Sequence, residues 1–213
     1  MALVRRLITV ESYDIIGQYR GKSSRVRGID PVTTDPKGEG RPDGHRDGQH
    51  VGSYLNKQSM EIASYITGFI DGEGSFLVSF SVRPKLKIGI EARPSFSVSQ
   101  HERSKAILEE LQRFFDCGSI RFDAHDRTYK YEVRSLAELI SKVIPHFNQY
   151  TLQTSKRIDF ELFSKICGLM KNNEHRTNQG IEKIIDLAYQ MNNLGARRYK
   201  KGDLLTIVSK MKV

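Results

Sequence analysis

The sequence has few of the features that mark secreted or membrane proteins. It contains only two cysteines, Cys117 and Cys167, and neither belongs to a CxxC pair or has a histidine at ligand spacing. We interpret both as reduced core residues. No apolar run reaches the length of a membrane span, and the first residues do not lead into a signal peptide. We therefore expect a soluble protein of the cytoplasm or an organellar matrix, neither secreted nor membrane-bound.

The chain also lacks acidic residues relative to basic ones. It has 34 Lys and Arg against 25 Asp and Glu in 213 residues, which gives a net charge of +9. This excess favours a polyanionic partner such as nucleic acid, although basic proteins without a charged partner are also common. The 38% of hydrophobic residues is enough for one domain with a real core plus a tail.

The first 58 residues differ in composition from the rest. They hold eight of the 17 Gly and three of the six Pro, with ten basic and seven acidic residues intermixed. Such a segment buries too little apolar surface to offset its ordering entropy. We predict a disordered extension over 1–58, a domain over 59–195 and a basic tail over 196–213. The extension is either a bland leader or a basic arm along a nucleic acid.

Hydrophobic periodicity predicts an α+β order of helix, two strands, helix, two strands and further helices. The first helix starts near Ser59, with Ile62, Ile66, Phe69 and Ile70 on its apolar stripe. Strict alternation predicts strands at 75–83 and 91–100. Further strands are expected at 119–123 and 129–134. Further helices are expected at 104–115 with Phe114 inward, from Ser135 to an end at Pro145, at 156–170 and at 179–191.

One motif stands where the first helix meets the first strand. The run from Tyr65 to Phe76 reads YITGFIDGEGSF, and it resembles the signature of the LAGLIDADG homing endonucleases in its GF(I/V)DG(D/E)GS form. The resemblance extends over about 58–191. It implies the αββαββα homing-endonuclease fold with a saddle-shaped antiparallel sheet, here followed by extra C-terminal helices.

The resemblance also implies a set of catalytic residues. Glu73 takes the role of the family's essential acid, and Glu73 with Gly72 is the expected site of Mg2+ or Mn2+, since hard ions prefer oxygen ligands. Gln100 at the end of the second strand would arrange water near the metal. Lys156 would stabilise the charged transition state, although some family members align their lysine where Gln153 stands here. A strand-end or surface role for Gln100 and Lys156 stays open.

A dimer is implied by the presence of one motif copy in a body too short for two repeats. In this family, single-motif members form homodimers on near-palindromic duplex DNA. Gly68 and Gly72 are one helical turn apart and, with Ser64, form a face of small side chains that lets a second helix approach closely. With Asp71, a structural residue at the helix end, these residues form the expected dimer interface.

The polar faces of the strands are the expected DNA-binding surface, because the major groove admits a two-stranded ribbon. Arg83 and Arg93 are the expected guanine contacts. The full set of predicted DNA-binding residues is Ser75, Leu77, Ser79, Ser81, Arg83, Lys85, Glu91, Arg93, Ser95, Ser97, Arg121, Asp123, Lys130 and Glu132.

Other basic residues are predicted to contact phosphates. These are Arg103, Lys105 and the run from Arg197 to Lys201, although that run fits a solvated tail equally well. Arg134 is a further candidate for a backbone or active-site contact.

Two other functions fit the same sequence. Some proteins with this motif are RNA-binding maturases that assist splicing, and the positive charge and polar sheet face suit RNA as well as DNA. A DNA-binding regulator that does not cut would also fit. Retention of Glu73, Gln100 and Lys156 favours cleavage, because neither alternative needs a metal site.

Overall fold

Helices alternate with pairs of strands in the computed structural model, which describes residues 47–192 and 197–211. The helices and strands are α1 (Asp47–Glu73), β1 (Gly74–Val82), β2 (Ile90–His101), α2 (Lys105–Phe115), β3 (Ser119–Asp123), β4 (Thr128–Val133), α3 (Leu136–Glu138), α4 (Ile144–Gln149), α5 (Lys156–Lys171), α6 (Asn178–Ala188) and α7 (Lys201–Lys210). Single turns at Glu102–Ser104, Leu139–Val143 and Glu174–Arg176 connect some of them. The predicted order and the α+β class are confirmed.

The four strands form one antiparallel sheet in the order β1-β2-β4-β3. In the register of β1 and β2, Phe76 pairs with Phe96 and Ser75 with Ser97, and Phe96 pairs in turn with Val133 of β4. Side chains of successive residues point to opposite faces, so the sheet has one apolar and one polar face.

The apolar face carries the core, and phenylalanines form its centre. The Phe76 ring lies 5.2 Å from Phe96, 5.4 Å from Phe147, 5.3 Å from Phe160 and 5.4 Å from Phe163, between ring centroids. Phe147 lies on α4, and Phe160 and Phe163 lie on α5, so these two helices cover the apolar face. The polar face stays exposed at positions such as Ser75 and Ser79.

Helix α1 differs from its prediction at the start and on its apolar stripe. It begins at Asp47 rather than near Ser59, and the predicted extension before residue 47 lies outside the described residues. Ala63, Ile66 and Ile70 are buried, whereas Ile62 is 40% exposed. The helix therefore has a narrower core-facing stripe than expected and leaves apolar side chains on its other side.

The prediction that a helix ends at Pro145 is wrong. Pro145 lies in the first turn of α4, directly after the π-helical turn Leu139–Val143. Proline has no N–H for the usual bond to the carbonyl four residues back, and its ring collides with that carbonyl. The wider π turn in front of it changes the hydrogen-bond spacing, so the helical path continues to Gln149.

The predicted tail from residue 196 is also wrong over residues 201–210. Helix α7 buries Leu204 and Val208 completely. It packs on the turn between β1 and β2, where Gly89 has a φ of +72° and a Cβ would lie 2.9 Å from the Met211 side chain. The sequence did not predict this helix, because its apolar pattern consists of only Leu204 and Val208 and it follows a basic run.

Helix α2 and the cysteines complete the core. Phe114 was predicted to point inward, but it is 36% exposed, whereas Phe115 is buried. Cys117 and Cys167 are both buried and unpaired, as predicted. Burial raises the pKa of both thiols, that of Cys167 to about 12. In the ranges 47–192 and 197–211, no helix is both long and apolar enough to cross a membrane.

Candidate active site

The site is built where α1 turns directly into β1. Glu73 is the last residue of the helix and Gly74 the first of the strand. A Cβ on Gly74 would lie 2.5 Å from Ile70 Cγ2 and 2.8 Å from the Ile70 carbonyl oxygen. Only glycine therefore fits this abrupt change of direction, which leaves the Glu73 side chain exposed at the helix end.

Gln100 lies next to Glu73. Gly74 pairs with Val98 across the sheet, so β2 continues past the start of β1 and carries Gln100 to the helix end. The Gln100 side-chain amide Nε2 donates a hydrogen bond to Glu73 Oε2 at 3.2 Å. This contact restricts the orientation of the carboxylate.

Lys156 reaches the same place from the other side. It is the first residue of α5, and its Nζ donates to the carbonyl oxygens of Ile70 at 3.0 Å and Gly72 at 3.1 Å. Burial lowers the pKa of the Lys156 ammonium, and the charges of Asp71, Glu73 and Asp159 oppose that shift. The structure thus brings together the three side chains that the sequence predicted: Glu73, Gln100 and Lys156.

Gln153, the alternative position for the lysine, does not reach the site with its side chain. Its Nε2 donates to the Thr151 carbonyl oxygen at 2.8 Å, within its own turn.

Asp71 connects the end of α1 to the turn before α5. Its carboxylate accepts hydrogen bonds from the Gln153 backbone N–H at 2.9 Å and from the Thr154 hydroxyl at 2.7 Å. The Thr154 hydroxyl in turn accepts from the Lys156 backbone N–H at 3.2 Å. A structural role was predicted for Asp71, but its partners were not found, because they lie 82 and 83 residues away in sequence.

The charge of Asp71 is stabilised by these contacts. Burial alone would raise the pKa of Asp71, but the hydrogen bonds from Thr154 and Gln153 and the nearby charge of Lys156 outweigh it. The pKa is therefore lower than usual, and the residue is an anion at neutral pH.

One chain offers only part of a metal site. Within the described ranges, no three His, Cys, Asp or Glu side chains cluster as metal ligands would. Asp71 is occupied by the turn before α5, which leaves Glu73 as the exposed carboxylate, with the carbonyl of Gly72 beside it. Carboxylate and carbonyl oxygens are hard donors that suit Mg2+, Mn2+ or Ca2+.

One side of α1 is open to solvent along the predicted interface. Ser64, Gly68 and Gly72 are exposed, and a Cβ on either glycine would have no atom within 4 Å. Beside them Met60 is 53% and Tyr65 44% exposed. Small and apolar residues thus share an exposed surface, and its two glycines leave room for a close neighbour.

The predicted DNA-binding residues of the strands lie on the polar face of the sheet, with Lys85 in the turn between β1 and β2. The exposed members are Ser75, Leu77, Ser79, Arg83, Lys85, Arg93, Arg121 and Asp123, and the half-buried members are Ser81, Glu91 and Lys130.

Three of the predicted DNA-binding residues are buried instead. Ser95 and Ser97 are 9% and 8% exposed, and both lie on β2, a central strand of the sheet. Glu132 is 5% exposed and is surrounded by basic side chains. The alternation placed these residues on the right face but did not reveal their burial.

Two members of the basic run after α6 contact the rest of the chain, whereas Arg198 and Lys200 are exposed. Arg197 donates to the carbonyl oxygens of Ala188 and Met191, and Lys201 pairs with Asp186 at 3.0 Å. Lys105, predicted to contact phosphate, pairs with Glu109 at 2.9 Å.

Comparisons with known proteins agree with this architecture. Residues 66–167 match the family model of the LAGLIDADG endonuclease. A probable intron-encoded endonuclease 2 of Neurospora crassa is 35% identical over 130 residues, which cover 61% of this chain and 29% of the relative. The chain thus spans under a third of that relative's length.

Two solved structures match over nearly their whole length. The homing endonuclease I-TnaI is 33% identical, with a TM-score of 0.61, and the match covers 70% of this chain and 97% of that one. The archaeal intron-encoded homing endonuclease I-Vdi141I, solved in complex with DNA, is 30% identical, with a TM-score of 0.67 and coverage of 72% and 98%. With the motif at the α1–β1 junction and the αββαββα order, these matches show that the chain belongs to the LAGLIDADG homing endonuclease family.

Proposed function

We propose that this protein is a homodimeric, metal-dependent endonuclease that binds duplex DNA at a specific near-palindromic site and cuts both strands. The observation that carries the proposal is the convergence of Glu73, Gln100 and Lys156 at the end of a helix whose open side is lined by small residues.

A second copy of the chain would complete the site. One protomer supplies one exposed acidic side chain at the end of α1, and cleavage of two strands needs two such groups. The open positions at Gly68 and Gly72 allow close approach of a second α1, as small residues do at helix contacts. Two Glu73 carboxylates would then lie near each other at the two-fold axis.

Glu73 and the carbonyl of Gly72 would hold the divalent ion. Such an ion, Mg2+ or Mn2+, supplies a lowered pKa for the attacking water and neutralisation of charge on the phosphate. Gln100 restricts the orientation of the Glu73 carboxylate through its amide hydrogen bond. Lys156 adds a positive charge at the same point, where it stabilises the charge that develops on the phosphate.

The polar face of the sheet would contact DNA. It carries exposed arginines and small hydroxyl side chains, which suit base edges and phosphates. The related I-Vdi141I was solved in complex with DNA, and the Neurospora relative is named an intron-encoded endonuclease. A two-fold dimer presents this face twice, so the site should be nearly palindromic.

The test is cleavage of a plasmid that carries the uninterrupted form of the gene in which this reading frame lies. Wild-type protein with Mg2+ should linearise it. Glu73→Gln keeps the size of the side chain but removes its charge, so cleavage should fall by at least about a thousandfold while binding in a gel-shift assay is retained.

Glu161→Gln is the matched control, because Glu161 is also an exposed helical acid but lies on α5, away from the open side of α1. It should cut as the wild type does. Cleavage by Glu73→Gln at the wild-type rate would refute the assignment. Binding without cleavage by the wild type would indicate a regulator, and binding of the intron RNA in preference to the duplex would indicate a maturase.

A further inference from the structure

A buried carboxylate lies beneath three basic side chains on the polar face. Arg121, Lys130 and Arg134 all pair with Glu132, Lys130 through Nζ at 3.4 Å and Arg134 through Nε at 2.9 Å. The side chain of Glu132 is 4% exposed, whereas the three basic side chains are 41–65% exposed. The acid is the fixed centre of this group, which we call the Glu132 cluster.

Glu132 is poorly placed to contact DNA itself. A carboxylate with so little exposure offers almost no surface to a base, and its oxygens are already occupied by its partners. Removing a carboxylate from water is costly unless cations compensate for it, and here three do. The side chain therefore acts on DNA through the residues it holds.

The arginines of the cluster keep donors for a ligand. Arg134 pairs through Nε, and in the described ranges its two terminal nitrogens have no hydrogen-bond partner. Arg121 pairs through its terminal nitrogen Nη2. Both arginines line a cavity of about 310 Å³ between β3, β4 and the end of α3. Its other lining residues are Gly118, Ser119, Glu132 and Glu138. A pair of acceptor atoms entering this cavity would meet oriented N–H groups.

A second, smaller group also pairs one acid with two arginines, but its acid is 39% exposed and lies by the β1–β2 turn. Glu91 accepts from Arg83 Nε at 3.2 Å and from Arg93 Nη2 at 2.7 Å. Arg83 and Arg93 are the residues that the sequence predicted as guanine contacts. Glu91 lies on β2 near the β1–β2 turn, six residues before Ser97, the residue of β2 that pairs with Glu132, so it offers an independent comparison.

We propose that Glu132 is a positioning residue that holds Arg121 and Arg134 for contact with one guanine in each half-site, a role that rests on the proposed binding of duplex DNA. Guanine presents O6 and N7 as an acceptor pair in the major groove, and a guanidinium can contact both. Phosphate oxygens offer a similar acceptor pair. Glu132 offsets one of the three positive charges and fixes the direction of the arginine N–H groups, which suits the paired acceptors of a base edge.

The inference is tested by selecting bound duplexes from a randomised library, in EDTA so that nothing is cut. The full chain is compared with Glu132→Gln, which keeps the size of the residue but removes its charge, and with Glu91→Gln. Glu132→Gln should lose about tenfold in preference for guanine at one position of each half-site, with the other positions unchanged. Glu91→Gln should lose its preference at a different position.

Arg121→Lys and Arg134→Lys provide a second test in case the Glu132 variant does not fold. Each of them leaves the buried acid and two of its three partners in place. They should relax the same position as Glu132→Gln, since lysine cannot make the two-nitrogen contact.

Three outcomes would overturn the inference while leaving DNA binding intact. The first is an unchanged base preference in Glu132→Gln. The second is a loss spread evenly over all positions with a shallower salt dependence, which would indicate phosphate contact. The third is a relaxed position in the arginine variants that differs from the one relaxed in Glu132→Gln. A wild-type chain that selects no common sequence would refute the proposed function itself, and this inference with it.

Discussion

Asp71 shows how one side chain can position another from a distance. It accepts hydrogen bonds from Gln153 and Thr154, and Thr154 contacts the backbone of Lys156. Glu73 follows Asp71 by two residues in the sequence. The motif therefore carries two acids with different tasks: Glu73 is exposed at the helix end, and Asp71 fixes the turn that delivers the lysine.

Replacing Asp71 with Asn should separate these tasks. An amide has one acceptor oxygen and one NH2 group, so a donor would face the N–H groups of the turn. We expect the free energy of unfolding to fall by about 1–3 kcal/mol. Single-turnover cleavage should slow because Lys156 is less well placed, while duplex binding should change little. Urea denaturation and quench-flow cleavage measure the two effects.

Asp126→Asn is a suitable control. Asp126 accepts from the Thr128 hydroxyl at 2.6 Å in an exposed turn, so the same change there should cost less than about 0.5 kcal/mol. Equal losses in the two variants would contradict a special role for Asp71.

At the residue scale, the family resemblance predicted which side chains meet at the end of α1, whereas the sequence missed features that depend on other tertiary contacts. Glu73, Gln100 and Lys156 lie together as expected, because their positions follow from the family pattern. Glu132 was placed on the correct face, but its burial depends on ion pairs with β3 and with the end of β4. Alternation along a strand carries no information about what covers a residue from the neighbouring strands.

At the scale of elements, the open side of α1 is the surface on which the proposed dimer depends. Gly68 has no neighbour within 4 Å of a Cβ, so a larger residue fits the isolated chain but would block a second helix. Gly68→Arg should therefore give a folded monomer that does not cut. Its stability should match or exceed that of the wild type, because arginine favours a helix by up to about 1 kcal/mol relative to glycine.

Gly168→Arg is the matched control on another helix. Gly168 is exposed on α5 and also has no neighbour within 4 Å of a Cβ. Light scattering should give a dimer mass for the wild type and for Gly168→Arg. A Gly68→Arg variant that remains dimeric would show that the protomers meet elsewhere.

Sequence predicted elements well where their periodicity was long and failed where it was short. Strands β1 and β2 were found within about a residue, because nine and 12 residues of alternation are hard to mistake. The ten residues of α7 carry only two buried residues, and their basic neighbours suggested a tail. Pro145 was taken as a helix end because the pattern does not show a π turn.

At the scale of the whole molecule, a buried histidine makes stability depend on pH. His146 is 8% exposed, its Nε2 lies 3.0 Å from the Thr67 hydroxyl oxygen, and burial lowers its pKa from 6.5 to about 4. An unfolded chain takes up the proton near pH 6.5, whereas the folded chain does so only near pH 4. Stability should therefore decrease as the pH falls through this window.

The expected size can be measured by urea denaturation. Between pH 7 and pH 5, His146 should reduce the free energy of unfolding by about 2 kcal/mol. His146→Phe lacks the titrating ring and should show a correspondingly smaller difference between the two pH values. An equal difference in both proteins would rule out His146 as the source.

The two native thiols have a practical consequence for experiments on the assembled protein. Cys117 and Cys167 are both buried, and burial raises the pKa of each, so little reactive thiolate forms at neutral pH. A cysteine introduced at exposed Ser79 would thus take up a maleimide dye while the native pair stays unmodified. Fluorescence energy transfer between two such labels would report the distance between the protomers, and neither native cysteine would have to be replaced first.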